Sequence, residues 1–171
     1  MIGKFVRLIV GGVLLASSIL LYIKGFTGFG VLTTILSGIS VLFHFKNEKN
    51  LMAFALIRKN KLQAAGNLLR KVKHPEKMVK SQEAYHYYLL GLVEAQEYKK
   101  AKAEKLFKKA LNTGLRTGTD QAVARLNLAG FAMASRNKKL AKYHIQECKK
   151  LDKRKMLTEQ IREVETMMKR I

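Results

Sequence analysis

At 171 residues the chain has room for one ordinary domain and a short extra element, which excludes a second enzyme-sized module. Its 33 Lys and Arg against 12 Asp and Glu give a formal net charge of +21, and its single cysteine, Cys148, excludes an intramolecular disulfide framework and fits a reducing compartment. One proline, no tryptophan and abundant Ala, Leu and Lys favour helix, and no sustained two-residue alternation marks a half-buried strand.

The chain begins apolar. Residues 1–45 hold no Asp or Glu and three fixed charges, Lys4, Arg7 and Lys24; the 12 acidic and other 30 basic residues all follow Phe45, a formal +18. The predicted domains are therefore an anchor over 1–46 and a basic body over 47–171. Within the anchor, LIVGGVLLASSILLYI (Leu8–Ile23) and FGVLTTILSGISVLFHF (Phe29–Phe45) flank the short link KGFTG. A helix crosses the hydrocarbon core with ~20 residues, so two spans are predicted, at about 5–23 and 28–45, with Arg7 snorkelling to the headgroups. The link is short enough to force an antiparallel hairpin. Gly12 and Ala16 in the first segment, and Gly30, Thr34 and Gly38 in the second, recur at four-residue spacing and predict the seam along which the backbones approach.

A cleaved signal peptide would share the basic start and apolar run, but no small-x-small site ends the run and a second one follows at once. A soluble buried hairpin would have no polar face. Lys4 and Arg7 precede the first span, Lys46 and Lys49 follow the second, and the link offers only Lys24. The positive-inside bias thus places both ends in the cytoplasm of a two-pass cell-membrane protein. No charged side chain lies mid-span and His44 is at the boundary, which argues against an ion or proton pathway.

The body is a series of amphipathic helices. Its clearest stretch is Tyr85–Leu111, where Leu90-Gly91 on a first helix is followed by Ala103, Phe107 and Ala110 on a second. This small/large signature resembles the tetratricopeptide repeat family, whose unit is a 34-residue helical hairpin. A second copy spans Ala124–Leu151, with Leu128-Ala129 in place of Leu90-Gly91 and Ala141, Ile145 and Cys148 in place of the later three. Its offset is 38 residues, the extra length being read into the loop NTGLRTGTD. A poorer copy, LMAFALIRKNKLQAAGNLLRKV, places Ala64 and Leu68 at the second-helix positions. From Asp152, read as an N-cap, a last helix sets Leu157, Ile161, Val164, Met168 and Ile171 on one stripe and covers the exposed end of the stack.

The chain is thus predicted to be all-α: a two-helix transmembrane hairpin, then an α-solenoid of about three tetratricopeptide-like hairpins with a covering helix. The resemblance implies a groove lined by first helices, through Tyr87–Ala95 and Leu126–Ser135, that takes a protein or peptide; Tyr87, Leu90, Gly91, Glu94, Asn127 and Phe131 are its candidate residues. No phosphate-binding glycine loop, catalytic triad or carboxylate pair emerges, so neither a catalytic site nor a cofactor is predicted. His144 and Cys148 stand four apart, but two ligands fall short of a metal site and Cys148 occupies a packing position.

Charge supplies the rival function. Lys99, Lys102, Lys105 and Lys109 crowd one helix, and Lys149 and Lys153 belong to a second run, Lys149–Lys155. A lysine run is usually a solvated face, but this one could also meet anionic lipid headgroups, each residue contributing about 1 kcal/mol near a membrane surface. Nucleic acid ranks lower, because no recognition module accompanies the charge.

Overall fold

A computed structural model describes the backbone of residues 2–45 and 48–170, with side chains for 6, 9–40 and 48–170. Every regular element among them is helical: α1 (Ile2–Ile23), α2 (Thr27–Phe45), α3 (Glu48–Arg58), α4 (Leu62–Arg70), α5 (Lys80–Gln96), α6 (Lys100–Thr113), α7 (Gly118–Ala134), α8 (Lys138–Leu151) and α9 (Thr158–Met168), with a 3-10 turn at Pro75–Lys77. The chain divides into two compact units, residues 1–51 and 52–171, so the boundary falls inside α3.

In the first unit α1 and α2 pair through a tight turn in which Gly25 takes φ +78°, the left-handed region open to glycine. The seam differs from the predicted one. Gly11, Ser18, Gly30 and Ser37 are buried, with Leu14, Leu21, Thr33 and Ser40 half-buried between them, whereas Gly12, Ala16, Thr34 and Gly38 are exposed. Positions 11, 14, 18, 21 and 30, 33, 37, 40 alternate three- and four-residue steps, which keeps one stripe facing a partner helix. A strict four-residue step drifts round the helix by ~40° each time. The Ser37 hydroxyl donates to the Gly11 carbonyl at 2.8 Å, and the Tyr22 ring lies 3.1 Å from where a Gly30 Cβ would sit.

The outward surface is apolar: Ile9, Val13, Leu20, Phe29, Leu32 and Ile35 are all more than half exposed. Among the described residues no helix is long and apolar enough to cross a membrane; the helical hairpin is present without that further property. Lys4, Arg7, His44 and Lys46, on which the spans and their orientation partly rest, lie outside the described side chains.

The second unit repeats with a period of 38 residues. Asn60, Tyr98 and Arg136 adopt φ near +56° (57°, 57° and 55°) at the same point of three successive hairpins. One residue on, the N–H groups of Lys61, Lys99 and Asn137 donate to the carbonyls of Leu56, Glu94 and Ala132, the 6→1 bond of a Schellman closure. The N–H groups of Ala65, Ala103 and Ala141 then return to Lys61, Lys99 and Asn137, so each second helix begins at once. Between α6 and α7 only residues 114–117 intervene. The 38-residue spacing thus comes from long helices (17 and 14 residues in α5 and α6), not from the long loop read into NTGLRTGTD.

The core follows the same period. Ala53, Gly91 and Ala129 are buried on first helices; Ala65, Ala103 and Ala141 face them from second helices, followed by Leu69, Phe107 and Ile145. This corrects the first repeat by one residue, since Ala64 is exposed and Leu68 half-buried. The glycine at 91 has a direct cause: a Cβ there would meet the Phe107 ring at 3.0–3.3 Å. Where the partner is the slimmer Leu69 or Ile145, alanine fits.

The last helix also begins later than predicted. Asp152 is buried and its two oxygens accept from the N–H groups of Met156 and Leu157, at 3.0 and 2.7 Å, so it ties a loop and α9 starts at Thr158. Ile161 and Val164 of α9 are buried against α7 and α8, with Leu157 and Met168 packed beside them; Ile171 lies outside the described residues.

Candidate functional site

The six predicted groove residues divide by burial. Gly91 and Tyr87 are buried within the α5–α6 hairpin, the first under Phe107 and the second with its ring 4.1 Å from the Lys109 ammonium. Lys109 is held above the usual lysine range chiefly by its contact with the Tyr87 hydroxyl. Glu94 is buried and accepts from Arg70 at 2.8 Å, so it fastens α4 to α5. Leu90 and Phe131 are half-buried, and Phe131 stacks at 6.2 Å on Phe107. Asn127 is half-buried and donates to the Val123 carbonyl at 2.9 Å. These side chains are largely engaged within the stack. Neighbouring positions on the same helices, Tyr85 and Leu92 on α5 and Val123 and Leu126 on α7, are half-buried apolar residues.

Between α5 and α7 sits a polar contact that spacing alone did not show. The Tyr88 hydroxyl bonds the Asp120 carboxylate, whose pKa is raised by burial despite bonds from Thr117 and Tyr88. Burial likewise pushes the Tyr85 hydroxyl up to about 12, Asp120 adding to it. At the α4–α5 junction Arg70 also bonds Glu97 at 2.8 Å, and Lys99 closes the cluster on Glu97 at 2.6 Å. Apart from Lys99 and Glu97, which share one turn, the members of these pairs lie 24 to 32 residues apart, beyond the reach of any local spacing pattern.

In the second and third hairpins lysine concentrates on the second helices. α6 and α8 each carry five lysines and one glutamate, whereas α5 has one lysine with two glutamates and α7 one arginine with one aspartate. Of the predicted face, Lys99 pairs with Glu97, Lys109 lies on Tyr87 and Lys149 pairs with Glu165 at 2.7 Å. Lys102, Lys105 and Lys153 are exposed and form no ion pair among the described residues.

His144 and Cys148 are both buried on α8. Burial lowers the His144 pKa, with Arg125 next in effect, and pushes the Cys148 thiol up to about 11, so neither is an activated group. No group of three or more His, Cys, Asp or Glu able to hold a metal occurs among the described residues. No family model, curated protein or solved structure matches the chain.

Proposed function

We propose that this protein is a membrane-anchored interaction protein, in which α1 and α2 insert as a hairpin and the tetratricopeptide-like stack meets a protein partner in the cytoplasm. The observation that carries the reading is the reversal of surfaces in the hairpin, with hydroxyls and glycines inside and branched apolar residues outside. In water that arrangement is unfavourable by roughly 25 cal/mol for each Å² of apolar area left exposed, and in hydrocarbon it is the favourable one. At 1.5 Å per residue, the 22 residues of α1 and 19 of α2 extend ~33 and ~28 Å, close to the ~30 Å of a bilayer core.

Alkaline carbonate extraction of membranes carrying the full chain tests the anchor; recovery in the extract would remove it. Photo-crosslinking from Leu92 or Leu126 in native membranes tests the partner. Adducts to one protein, lost when Leu92 is replaced by Lys, support the reading; adducts to lipid alone oppose it.

A second reading, binding of polyanions including anionic headgroups, is favoured by the concentration of lysine on α6 and α8. Retention on a polyphosphate matrix that falls steeply with salt supports it; elution at the lowest salt opposes it.

A further inference from the structure

A cleft of about 640 Å3 opens between the last turn of α8 and the first turns of α9. Small-molecule sites enclose ~300–1,000 Å3, and this one is larger than a lone inorganic phosphate requires. Five cations line it: Lys149 and Lys150 from α8, Lys153 and Lys155 from the loop, and Arg162 from α9.

The carboxylates that line the cleft or pair with its cations are already engaged, while Glu159 and Glu163 flank Arg162 on α9 outside the lining. Glu165 holds Lys149 at 2.7 Å, Glu147 holds Lys150 at 2.8 Å, and Asp152 gives its oxygens to two backbone N–H groups. That leaves Lys153, Lys155 and Arg162 exposed, with no carboxylate partner among the described residues. Lys149 and Lys150 have an ordinary reason to be where they are, since cations favour the carbonyl end of a helix. Arg162 stands in the second turn of α9, near the end that repels cations, with Glu159 and Glu165 three residues away on either side, yet it forms no ion pair among the described residues.

The loop is also fixed in shape. The two bonds to Asp152 brace it, and the Thr158 hydroxyl donates to the Lys155 carbonyl at 3.0 Å. Lys155 takes φ +53°, and unlike the three left-handed residues of the hairpin turns it falls outside the 38-residue period. Its conformation belongs to the cleft. A loop backbone fixed before a ligand arrives loses less freedom on binding it.

We infer that the α8–α9 cleft binds a compact anion carrying two or more phosphate groups, with Arg162 forking onto one phosphate and Lys153 and Lys155 neutralising the others. This rests on the polyanion reading of the basic helices and narrows it to one site. The same chemistry is presented by a polyphosphorylated lipid headgroup and by a soluble diphosphate.

The full-length protein in neutral detergent would be titrated calorimetrically with inorganic pyrophosphate and with dioctanoyl phosphatidylinositol bisphosphate. K153Q/K155Q/R162Q is expected to weaken both by about tenfold or more, and K102Q/K105Q/K139Q, with the same change in charge, by less than about twofold. Tighter binding of the lipid assigns the headgroup as the source, and tighter binding of pyrophosphate assigns a soluble ligand. Equal weakening by the two triple variants would overturn the cleft while leaving the polyanion reading intact; absence of binding to the wild-type chain at low salt would overturn both. Should the first variant lose helical circular dichroism, amine acetylation of the wild-type chain decides. Pyrophosphate should protect Lys153 and Lys155 and leave Lys102 reactive, and equal reactivity of all three overturns the site.

Discussion

Among the described residues of α1 and α2 the buried ones are Gly11, Ser18, Gly30 and Ser37, and the exposed ones include Ile9, Val13, Leu32 and Ile35; in α5 to α8 the largest buried apolar side chains include Leu89, Val93, Phe107 and Ile145, and the exposed residues include Lys102, Lys105, Lys139 and Lys142. Both regions are antiparallel helix pairs closed by short turns. What differs is which atoms each hides. A seam of hydroxyls and glycines gains little from leaving water, so the α1–α2 pair is held by close backbone approach and an interhelical hydrogen bond. The repeat stack is held by apolar burial. Helical hairpin topology alone therefore says nothing about the solvent a hairpin suits; the inward and outward residue sets do.

The comparison breaks most sharply if the exterior of the first hairpin is made polar. Val13→Lys with Ile35→Lys is expected to cost about 2.5–3.5 kcal/mol per lysine for insertion and to move the full chain into the carbonate-extractable fraction. Ala101→Lys, on an exposed face of α6, is expected to shift stability by less than about 0.5 kcal/mol. Indifference of the hairpin to both lysines would equate the two regions.

Next in size is Phe107→Ala, which empties the ring site over Gly91 and should cost about 3–5 kcal/mol in urea unfolding of the body. A smaller loss would mean that Gly91 and its surroundings collapse into the space.

Acidification probes the same core. Burial holds His86 down to about 4 from 6.5, so the fold keeps a neutral ring. The unfolded chain takes up the proton near 6.5 and the folded chain only near 4, so stability is full above 6.5 and is lost as pH falls through that window, by at most about 3 kcal/mol. His144, lowered in the same direction, adds to the loss. Urea midpoints at about pH 7.5 and about pH 4.5 measure it, and His86→Gln should flatten the difference.

Ala65→Leu is expected to cost about 1–3 kcal/mol through overpacking, and Ala64→Leu to lie within ~0.5 kcal/mol of neutral. The reverse order would restore the register read from the sequence. Smallest of all, Ser37→Ala should weaken the α1–α2 pair by ~0.6 kcal/mol, measurable as a shift in detergent-induced unfolding.

That register error shows where the sequence stopped being legible. The helices and the Ala103–Phe107–Ala110 face could be read because composition and period agree there. The seam and the first repeat could not, and four of the six misplaced residues fall on doublets, Gly11-Gly12, Thr33-Thr34, Ala64-Ala65 and Leu68-Leu69, the other two being Ala16 and Gly38. Either member of a doublet continues an apolar stripe, and only the partner helix decides which one turns inward. The groove positions suffered differently. Gly91 bears the motif, and a motif written by packing marks a residue that packing hides; Tyr87 and Glu94, one helical turn to either side, are buried with it. Arg162 was passed over because a lone arginine in a covering helix has no pattern; it acquires meaning only beside Lys153 and Lys155.

α7 contributes to two cores at once. Ala124 and Leu128 belong to the cluster built on α3 to α6, and Ala122, Ala129, Ala132 and Met133 to the one shared with α8 and α9. Cooperativity between the two ends of the stack therefore passes through a single helix, which pairs closely with α8 and more loosely with α6. Sub-global opening should separate α7, α8 and α9 as one unit from α3 to α6. In hydrogen exchange their amides would then share one opening free energy, below that of α5 and α6, and a ligand in the cleft between α8 and α9 would bridge only helices within that less stable unit.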